Sequence, residues 1–256
     1  MKNTVTSLIM PGIRVSHWEE TYNSICESTK RPFELIIVSP YDLPKELEDK
    51  KNIKILKDWG NIVRCHNLGL SLAVGTYVTN VADDGVLAKD ALDVVIDQFE
   101  ALPPNPKNII NAAYTEGGNA HDESYNIINN APETRSPYIG DKWYILQQGL
   151  LYTKYFIELG GLDYRFEVQP MALIDLAVRA YRDGALVYFS DTIVQHATHM
   201  PGRTGDHAPV NDAQLGNDIP LFQRLHRDPK HISRIKLDVN EWLLSPPIWE
   251  RRFANQ

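Results

Sequence analysis

The sequence predicts an α/β protein with a central, mostly parallel sheet flanked by helices. Short apolar, β-branched runs alternate with segments of helical period through the first hundred residues. Such alternation is typical of βαβ units, in which crossover helices cover a parallel sheet on both faces. The length of 256 residues suits one large α/β domain or two small ones.

The helices and strands of the first half are predicted in order from this alternation of apolar runs and helical periods. Strands are expected at 5–10, 33–39, 52–57 and 76–82, and helices at 16–29, 44–49, 62–73 and 88–102. Trp18 and Ile25 share the apolar face of the first helix, which Ser16 and Glu19 would open as a capping box.

The second half is less regular. A strand is expected at 109–114, and the polar, turn-rich residues 116–141 are too long for a simple connection, which favours a lid or substrate loop. A compact unit then resumes at 142, with a helix closed by Gly184 and a strand at 185–190. We divide the chain into a domain of residues 1–200 and a C-terminal extension of residues 201–256.

The extension contains a helix near 218–227 and an aromatic, basic end, WLLSPPIWERRF. That end would pack on the domain, on a second copy in a homodimer, or on a membrane surface as a peripheral contact. Packing on the domain is the simplest of the three.

Composition limits the classes of function. The formal net charge of −7 argues against binding nucleic acid through a basic surface. Cys26 and Cys65 form no spacing framework, which suits a reducing compartment. No apolar run approaches the roughly 20 residues of a membrane span, and the first residues lack a signal-peptide pattern. We therefore expect a cytoplasmic protein.

Asp83 and Asp84 are adjacent at the end of a predicted strand, in the stretch VADDG. Two neighbouring negative charges repel each other unless a cation or hydrogen-bond donors offset them. In parallel sheets ligands bind beyond the carboxyl ends of the strands, where this pair falls. A solvated turn is the alternative, because turns favour Asp and Gly.

Several motifs together resemble the family-2 inverting glycosyltransferases of the GT-A fold, over residues 4 to about 200. They are MPGIR (10–14), IVSPYD (37–42), RCHNLGL (64–70), ADDG (82–85), IELGGLDYRFE (157–167) and IDLAVRAYRDGALVYFSDTIVQH (174–196). The resemblance implies a GT-A-like fold and transfer of a sugar, with inversion, from a nucleotide-diphosphate donor. It favours a UDP-linked donor and a hydroxyl of a glycan or lipid-linked molecule as the acceptor.

The resemblance also implies roles for individual residues. It assigns the nucleotide to Pro11, Gly12, Arg14, Asp42, Asn67, Asp83 and Asp84, and the donor or acceptor sugar to Gly160, Gly161 and Asp163. Mn²⁺ or Mg²⁺ would bind Asp84 and His196, with Asp83 on the ribose or supporting the metal ligand. A divalent cation stabilises the charge that develops on a departing diphosphate, and hard cations take carboxylate oxygens. Arg14 and Arg64 compete for one phosphate contact.

The general base is where the chain departs from the family. Inversion needs a base for the proton of the acceptor hydroxyl, and the family's helix usually begins Glu-Asp-x-Asp. Here Ala172 and Leu173 occupy the first acidic places and only Asp175 is retained. Asp175 is the predicted base, Glu167 is the alternative, and impaired transfer is the third interpretation.

Structural interpretations compete with several of these roles. One alternative is that the Gly160–Gly161 pair only supplies positive φ after a helix. Another is that the helix dipole alone favours Asp175 near a helix N-terminus. His196 and His199, in HATH, form at most a zinc half-site.

Two rival functions follow. One is a GT-A-like nucleotide-binding module that has lost transfer, and the other is a metal-dependent nucleotidyltransferase. Enzymes of the second class usually carry a Gly-rich, basic loop after the first strand, whereas PGIRVS has one Gly and one Arg. No Gly-x-Gly-x-x-Gly fingerprint follows a predicted strand, which argues against a dinucleotide oxidoreductase.

Overall fold

A computed structural model describes residues 4–116, 126–128, 134–135, 142–143, 146–197, 212–228 and 237. The strands are β1 (Thr6–Pro11), β2 (Phe33–Ser39), β3 (Ile53–Lys57), β4 (Tyr77–Asn80), β5 (Gly85–Leu87), β6 (Asn108–Glu116), β7 (Asn126–Ile128), β8 (Thr134–Arg135), β9 (Lys142–Trp143), β10 (Gly149–Tyr152) and β11 (Leu186–Ala197). The helices are α1 (Trp18–Ser28), α2 (Ile62–Leu72), α3 (Ala91–Glu100), α4 (Thr153–Glu158), α5 (Gln169–Arg182) and α6 (Ile219–His226). The predicted α/β class with a helix-flanked sheet is confirmed.

The main sheet runs in the order β3-β2-β1-β4-β10-β6-β11-β5, with β7 added to β6. The first four strands are mutually parallel. β10 then runs antiparallel between β4 and β6, and β11 is parallel to β6. The carboxyl ends of β1 to β4 therefore meet at one edge, where the chain turns into the predicted motifs.

Helices cover both faces of this sheet. β1 shows the alternation: Leu8 and Met10 pack in a buried cluster with residues of α1 and α3, whereas Ile9 packs in a second cluster with residues of α2, α4 and α5. Side chains alternate between the two faces of a strand, and both faces of β1 are apolar and buried. This is expected of a strand in a parallel sheet that helices cover on both sides.

The described part of the C-terminal extension packs on the domain. A π-helical turn, Gln214–Asp218, leads into α6, and Leu221 and Phe222 of α6 belong to the same buried cluster as α5. The aromatic end near 242–253 lies outside the described residues, as does most of the predicted lid at 116–141. Within the described ranges, no helix has both the length and the apolar character required to span a membrane.

Some boundaries differ from the sequence-based expectation. Residues 88–102 are a shorter helix preceded by β5, and 44–49 contain only a one-turn 3₁₀ helix, Lys45–Leu47. The capping box is wrong: α1 begins at Trp18 after a 3₁₀ turn, and its N-cap residue, His17, makes no side-chain capping bond.

Candidate functional site

Asp83 fixes the turn that follows β1. Its Oδ2 accepts hydrogen bonds of 2.7 Å from the backbone N–H groups of Ile13 and Arg14. Its Oδ1 accepts a bond of 2.6 Å from Arg14 Nη1. The carboxylate is nearly buried, with 5% of the residue exposed, so donors from the turn offset its charge. The structure thus brings Asp83 and Arg14 together and rules out a solvated turn for Asp83.

The turn itself needs a glycine. Pro11 ends β1, and the N–H of Gly12 donates to the carbonyl of Val38 at 3.0 Å, which continues the pairing with β2. A Cβ on Gly12 would lie 2.9 Å from the indole ring of Trp18. The indole ring of Trp18, at the start of α1, therefore leaves no room for a side chain at Gly12.

Asp84 lies just before the start of β5, and His196 lies near the end of β11, the strand that pairs with β5. β5 starts directly after Asp84, and its register with β11 pairs Gly85 with Ala197 and Val86 with His196. Both Asp84 and His196 are nearly buried, at 5% and 6% exposed. The register thus places Asp84 two residues before Val86, the partner of His196, so that an acid and an imidazole reach the same end of this strand pair although they are 112 positions apart in the chain.

This pair fits a divalent cation in part. His196 Nδ1 lies 2.6 Å from the Thr115 hydroxyl; in the tautomer whose Nδ1–H donates to that oxygen, Nε2 carries the lone pair that a metal needs. One carboxylate and one imidazole suit Mn²⁺. No set of three or more His, Cys, Asp or Glu residues within the described ranges is arranged to hold a metal. A cation here would take its other ligands from a diphosphate and water, as Mg²⁺ and Mn²⁺ often do.

Two buried glutamines, Gln148 and Gln195, form hydrogen bonds to the backbone of the aspartate segment, residues 80–84. Gln195 Oε1 accepts from the N–H of Ala82 at 3.2 Å, and Gln195 Nε2 donates to Gln148 at 2.5 Å. Gln148 Nε2 in turn donates to the carbonyl of Asn80 at 3.0 Å. Sequence reasoning missed both residues; the only signal was that Gln195 directly precedes His196.

Asn67, which was predicted to contact the nucleotide, forms hydrogen bonds inside the fold instead. Its Nδ2 donates to the carbonyl of Leu162 at 2.7 Å, and its Oδ1 accepts from the Leu162 N–H at 2.8 Å. Both polar atoms are therefore used inside the fold, and the residue is 2% exposed. We correct its role to joining α2 to the glycine turn after α4.

That glycine turn has the backbone expected of a helix C-terminus. Gly160 and Gly161 have φ values of 88° and 68°, and their N–H groups bond to carbonyls of α4. A Cβ on Gly161 would lie 2.5 Å from Asn67 Oδ1. Asp163 follows with no exposed surface, and its carboxylate accepts three bonds of 2.5–3.2 Å from the Arg165 guanidinium.

Asp175 is buried in an ionic network, which argues against its predicted role as the general base. It has no exposed surface; its Oδ2 accepts from Arg179 Nε at 2.7 Å and its Oδ1 lies 2.7 Å from His226 Nε2. Burial alone would raise the pKa of Asp175, but the Arg179 charge and the His226 hydrogen bond outweigh it and lower that pKa. A carboxylate enclosed in this way has no contact with an acceptor hydroxyl.

The Asp175 network supports the glycine turn instead. Arg179 also donates to the carbonyls of Leu159 at 2.5 Å and Gly161 at 2.8 Å. His226 comes from α6, so the C-terminal segment completes the network that holds this part of the domain.

Two apolar residues stand in the first turns of α5 where acids were expected, and Glu167 lies just before the helix. Ala172 and Leu173 are buried, whereas Glu167 is half-buried. The N–H of Glu167 donates to Asp218 Oδ1 at 3.0 Å, and the N–H of Val168 donates to Asp218 Oδ2 at 2.9 Å. Burial raises the pKa of Asp218 to about 6, although these hydrogen bonds oppose the shift. A carboxylate from the C-terminal segment thus fixes the backbone of Glu167 and Val168, which leads into α5.

Asp42, predicted to contact the nucleotide base, lies in solvent. Its side chain is 94% exposed, and a carboxylate oxygen is 2.6 Å from Lys57 Nζ. Arg64, the alternative phosphate contact, is held by Asp58, with Nη2 2.8 Å from Oδ2. Neither residue has an enclosed position like that of Asp83.

An aromatic pair at the same edge was missed by sequence reasoning. Tyr41 and Trp59 follow β2 and β3, with ring centroids 6.3 Å apart in an edge-on arrangement. Trp59 is 52% exposed, which is unusual for a tryptophan. The signal in the sequence was an aromatic residue shortly after each of two neighbouring parallel strands.

Solved structures with a similar fold are those of TarS from S. aureus, which is a glycosyltransferase. The structure of TarS residues 1–349 matches with a TM-score of 0.57 and 16% identity, over 76% of this chain and 60% of that one. The complex of TarS with UDP matches with a TM-score of 0.57 and 16% identity, over 84% and 67%. The complex with UDP-GlcNAc matches with a TM-score of 0.55 and 14% identity, over 78% and 60%.

This chain therefore spans about 60% of the length of the TarS chain in two of these matches. No protein-family model matches the sequence, and no curated protein matches it. At 14–16% identity, these structural matches show a shared fold alone.

Proposed function

We propose that the protein transfers a sugar from a UDP-linked donor to a hydroxyl of a glycan or lipid-linked acceptor, with inversion and with Mn²⁺ or Mg²⁺. The observation that carries the proposal is the arrangement of Asp83, Asp84 and His196 at the carboxyl edge of the sheet. The fold is also that of TarS, which is known in complexes with UDP and UDP-GlcNAc. A metal bound there would act as a Lewis acid on the departing diphosphate.

Each residue of the edge has a distinct task in this proposal. Asp84 and His196 bind the cation, and Asp83 keeps the β1 turn and Arg14 in place beside the phosphates. Tyr41 and Trp59 offer aromatic surface near the ends of β2 and β3, where a nucleobase can stack. The proposed acceptor lies beyond the Gly160–Asp163 turn, close to α5.

We assign the general base to Glu167. Asp175 is enclosed by Arg179 and His226, whereas Glu167 is half-buried and its backbone is fixed by Asp218. Glu167→Gln should lower kcat at least 100-fold, since a positioned base contributes about 10²–10⁴. The affinity for UDP should stay within about twofold.

A binding module without transfer is the second candidate. The buried, apolar Ala172 and Leu173 at the start of α5 favour it, because they remove the acids expected there. In that protein UDP binds in the presence of Mn²⁺, but no sugar is transferred or hydrolysed.

Calorimetric titration with UDP, GDP and CMP, each with and without Mn²⁺, tests the donor. Mn²⁺-dependent binding of UDP supports the proposal, and negligible binding of all three overturns it. Analysis of products then separates the functions: released UDP indicates glycosyl transfer, released pyrophosphate indicates a nucleotidyltransferase, and no turnover indicates a binding module.

A further inference from the structure

His66 is a buried histidine whose ring has no hydrogen-bond partner in the described part of the chain. It lies in α2 and is 3% exposed, and both Nδ1 and Nε2 are unbonded there. A buried polar group in this state costs free energy, so such groups are rare in native proteins. The nucleotide site described above makes no use of this residue.

The ring faces a small cavity where four elements meet α2. The cavity has a volume of about 20 Å³, which is enough for one water molecule. Its walls are contributed by β4, β10, α4 and α5, and by Leu146, which precedes β10; they include Val78, Thr79, Asn80, Phe156 and Leu173. The surroundings of His66 are thus mostly apolar.

Among the residues that the structure describes, no ionisable group other than His66 lines this cavity. The ionisable side chains of the elements packed around it lie outside its lining. They are Arg64 and Cys65 of α2, Tyr77 of β4, Tyr152 of β10, Lys154, Tyr155 and Glu158 of α4, and Asp175, Arg179, Tyr181 and Arg182 of α5. The polar walls, Thr79 and Asn80, are engaged with Gln148 and Gln147. A proton on His66 would therefore create a buried charge without a counter-ion.

Burial lowers the pKa of His66 to about 4, from an ordinary value of 6.5. Desolvation is the sole cause of this shift, which agrees with the uncharged cavity lining.

We propose that His66 makes the packing of α2 against β4 and α5 sensitive to acid, so that its protonation loosens the candidate site. Asn67, the next residue, holds the glycine turn through Leu162. Asn80, in the cavity wall, comes three residues before Asp83. Movement of α2 away from the cavity would disturb both the turn and the aspartate segment.

The sign of the effect follows from linkage. The unfolded chain takes up a proton on this histidine near pH 6.5, and the folded protein takes it up only near pH 4. Stability from the neutral ring is complete above pH 6.5 and is lost as the pH falls towards 4. Between pH 7 and pH 5, His66 alone should raise the unfolding equilibrium constant by about 20-fold.

Urea unfolding of the full chain at pH 7, 6 and 5 tests the proposal. In His66→Leu, the rise in the unfolding equilibrium constant between pH 7 and pH 5 should be about 20-fold smaller than in the wild type. His17→Gln is the matched control, because His17 lies in an unburied 3₁₀ turn, and it should keep the wild-type dependence. An equal pH dependence in His66→Leu and the wild type overturns the proposal.

A second measurement removes any dependence on how His66→Leu folds. The ring proton resonance of His66 in the wild-type protein, assigned with His66→Gln, is followed by NMR from pH 8 to pH 5. A ring that remains neutral to pH 5 while exposed histidines titrate supports the proposal. A midpoint at 6.5 or above overturns it, whatever the function of the nucleotide site.

Discussion

Separating the roles of Asp83 and Asp84 gives the most informative test of the site. Asp83→Ala removes the acceptor of two backbone N–H groups and one guanidinium N–H. Hydrogen bonds to a charged group contribute about 1.5 kcal/mol or more each, so the two backbone bonds account for about 3 kcal/mol. The bond to Arg14 adds less, since that side chain is 17% exposed and water replaces part of the loss.

We therefore expect Asp83→Ala to lower the free energy of unfolding by about 3 kcal/mol. For a chain of this size the loss corresponds to a decrease in Tm of about 10 °C. Asp84→Ala should cost less stability, because it relieves the repulsion between neighbouring carboxylates. Its main effect should be the loss of Mn²⁺-dependent UDP binding.

Urea unfolding and calorimetry on both variants measure the two effects separately. At a temperature where Asp83→Ala remains folded, its UDP affinity should fall but still respond to Mn²⁺. The reasoning is refuted if Asp83→Ala is as stable as the wild type, or if Asp84→Ala keeps Mn²⁺-dependent binding.

Four further variants address the surrounding structure. Asp175→Asn should destabilise the protein by about 3 kcal/mol, since it breaks a buried ion pair, yet leave kcat per folded molecule within tenfold in an assay of sugar transfer, unlike Glu167→Gln. Gly161→Ala should lower the free energy of unfolding by about 3 kcal/mol, because its φ is +68° and its Cβ would meet an amide oxygen at 2.5 Å. Gly184→Ala, at φ +82° with no atom within 4 Å, should cost only about 1 kcal/mol, as measured by thermal unfolding. Glu34→Gln should lower stability at pH 7 by about 2 kcal/mol and flatten its dependence on pH in acid, as measured by urea unfolding.

The sign for Glu34 follows from its surroundings. Burial would raise the pKa of Glu34, but hydrogen bonds from Lys54, Ser7 and the Val74 N–H, with the Lys54 charge, outweigh it and lower that pKa. The stabilisation is therefore present above the ordinary pKa of 4.5 and is lost as the pH falls through the lowered value.

For each of these predictions, one experimental result would contradict the reasoning. A loss of turnover in Asp175→Asn comparable to that in Glu167→Gln would make Asp175 the base after all. Equal losses of stability in Gly161→Ala and Gly184→Ala would show that the close approach to Asn67 has no cost. A wild-type acid profile in Glu34→Gln would exclude a lowered pKa for Glu34.

The fold was largely predictable where local patterns determine the structure. β2 was predicted at 33–39 and is observed there, because its run of β-branched residues is bounded by Pro32 and Pro40. β5 was missed, since the three residues after the turn at Asp83 and Asp84 form a strand only through pairing with β11, more than a hundred residues later. The predicted capping box failed because a 3₁₀ turn takes up Ser16 before α1 begins.

The sequence predicted where the candidate site residues lie in the fold better than it predicted which partners their side chains have. The strand-end rule located Asp83, and the structure adds that Arg14 offsets its charge. The enclosure of Asp175, which argues against its predicted role, has a non-local cause: its partner His226 lies 51 positions away on a helix of the C-terminal segment. A sequence pattern shows that a carboxylate is present, but not whether another segment encloses it.

The register shifts in β11 have a consequence for any variation of this chain. Pairing of β11 with β6 is interrupted between Ser190 and Ile193 and again between Ile193 and Gln195. Because side chains alternate across a strand, deleting one residue in this interval would turn the imidazole of His196 to the opposite face. We expect homologous chains to tolerate exchanges of residue type there more readily than changes of length.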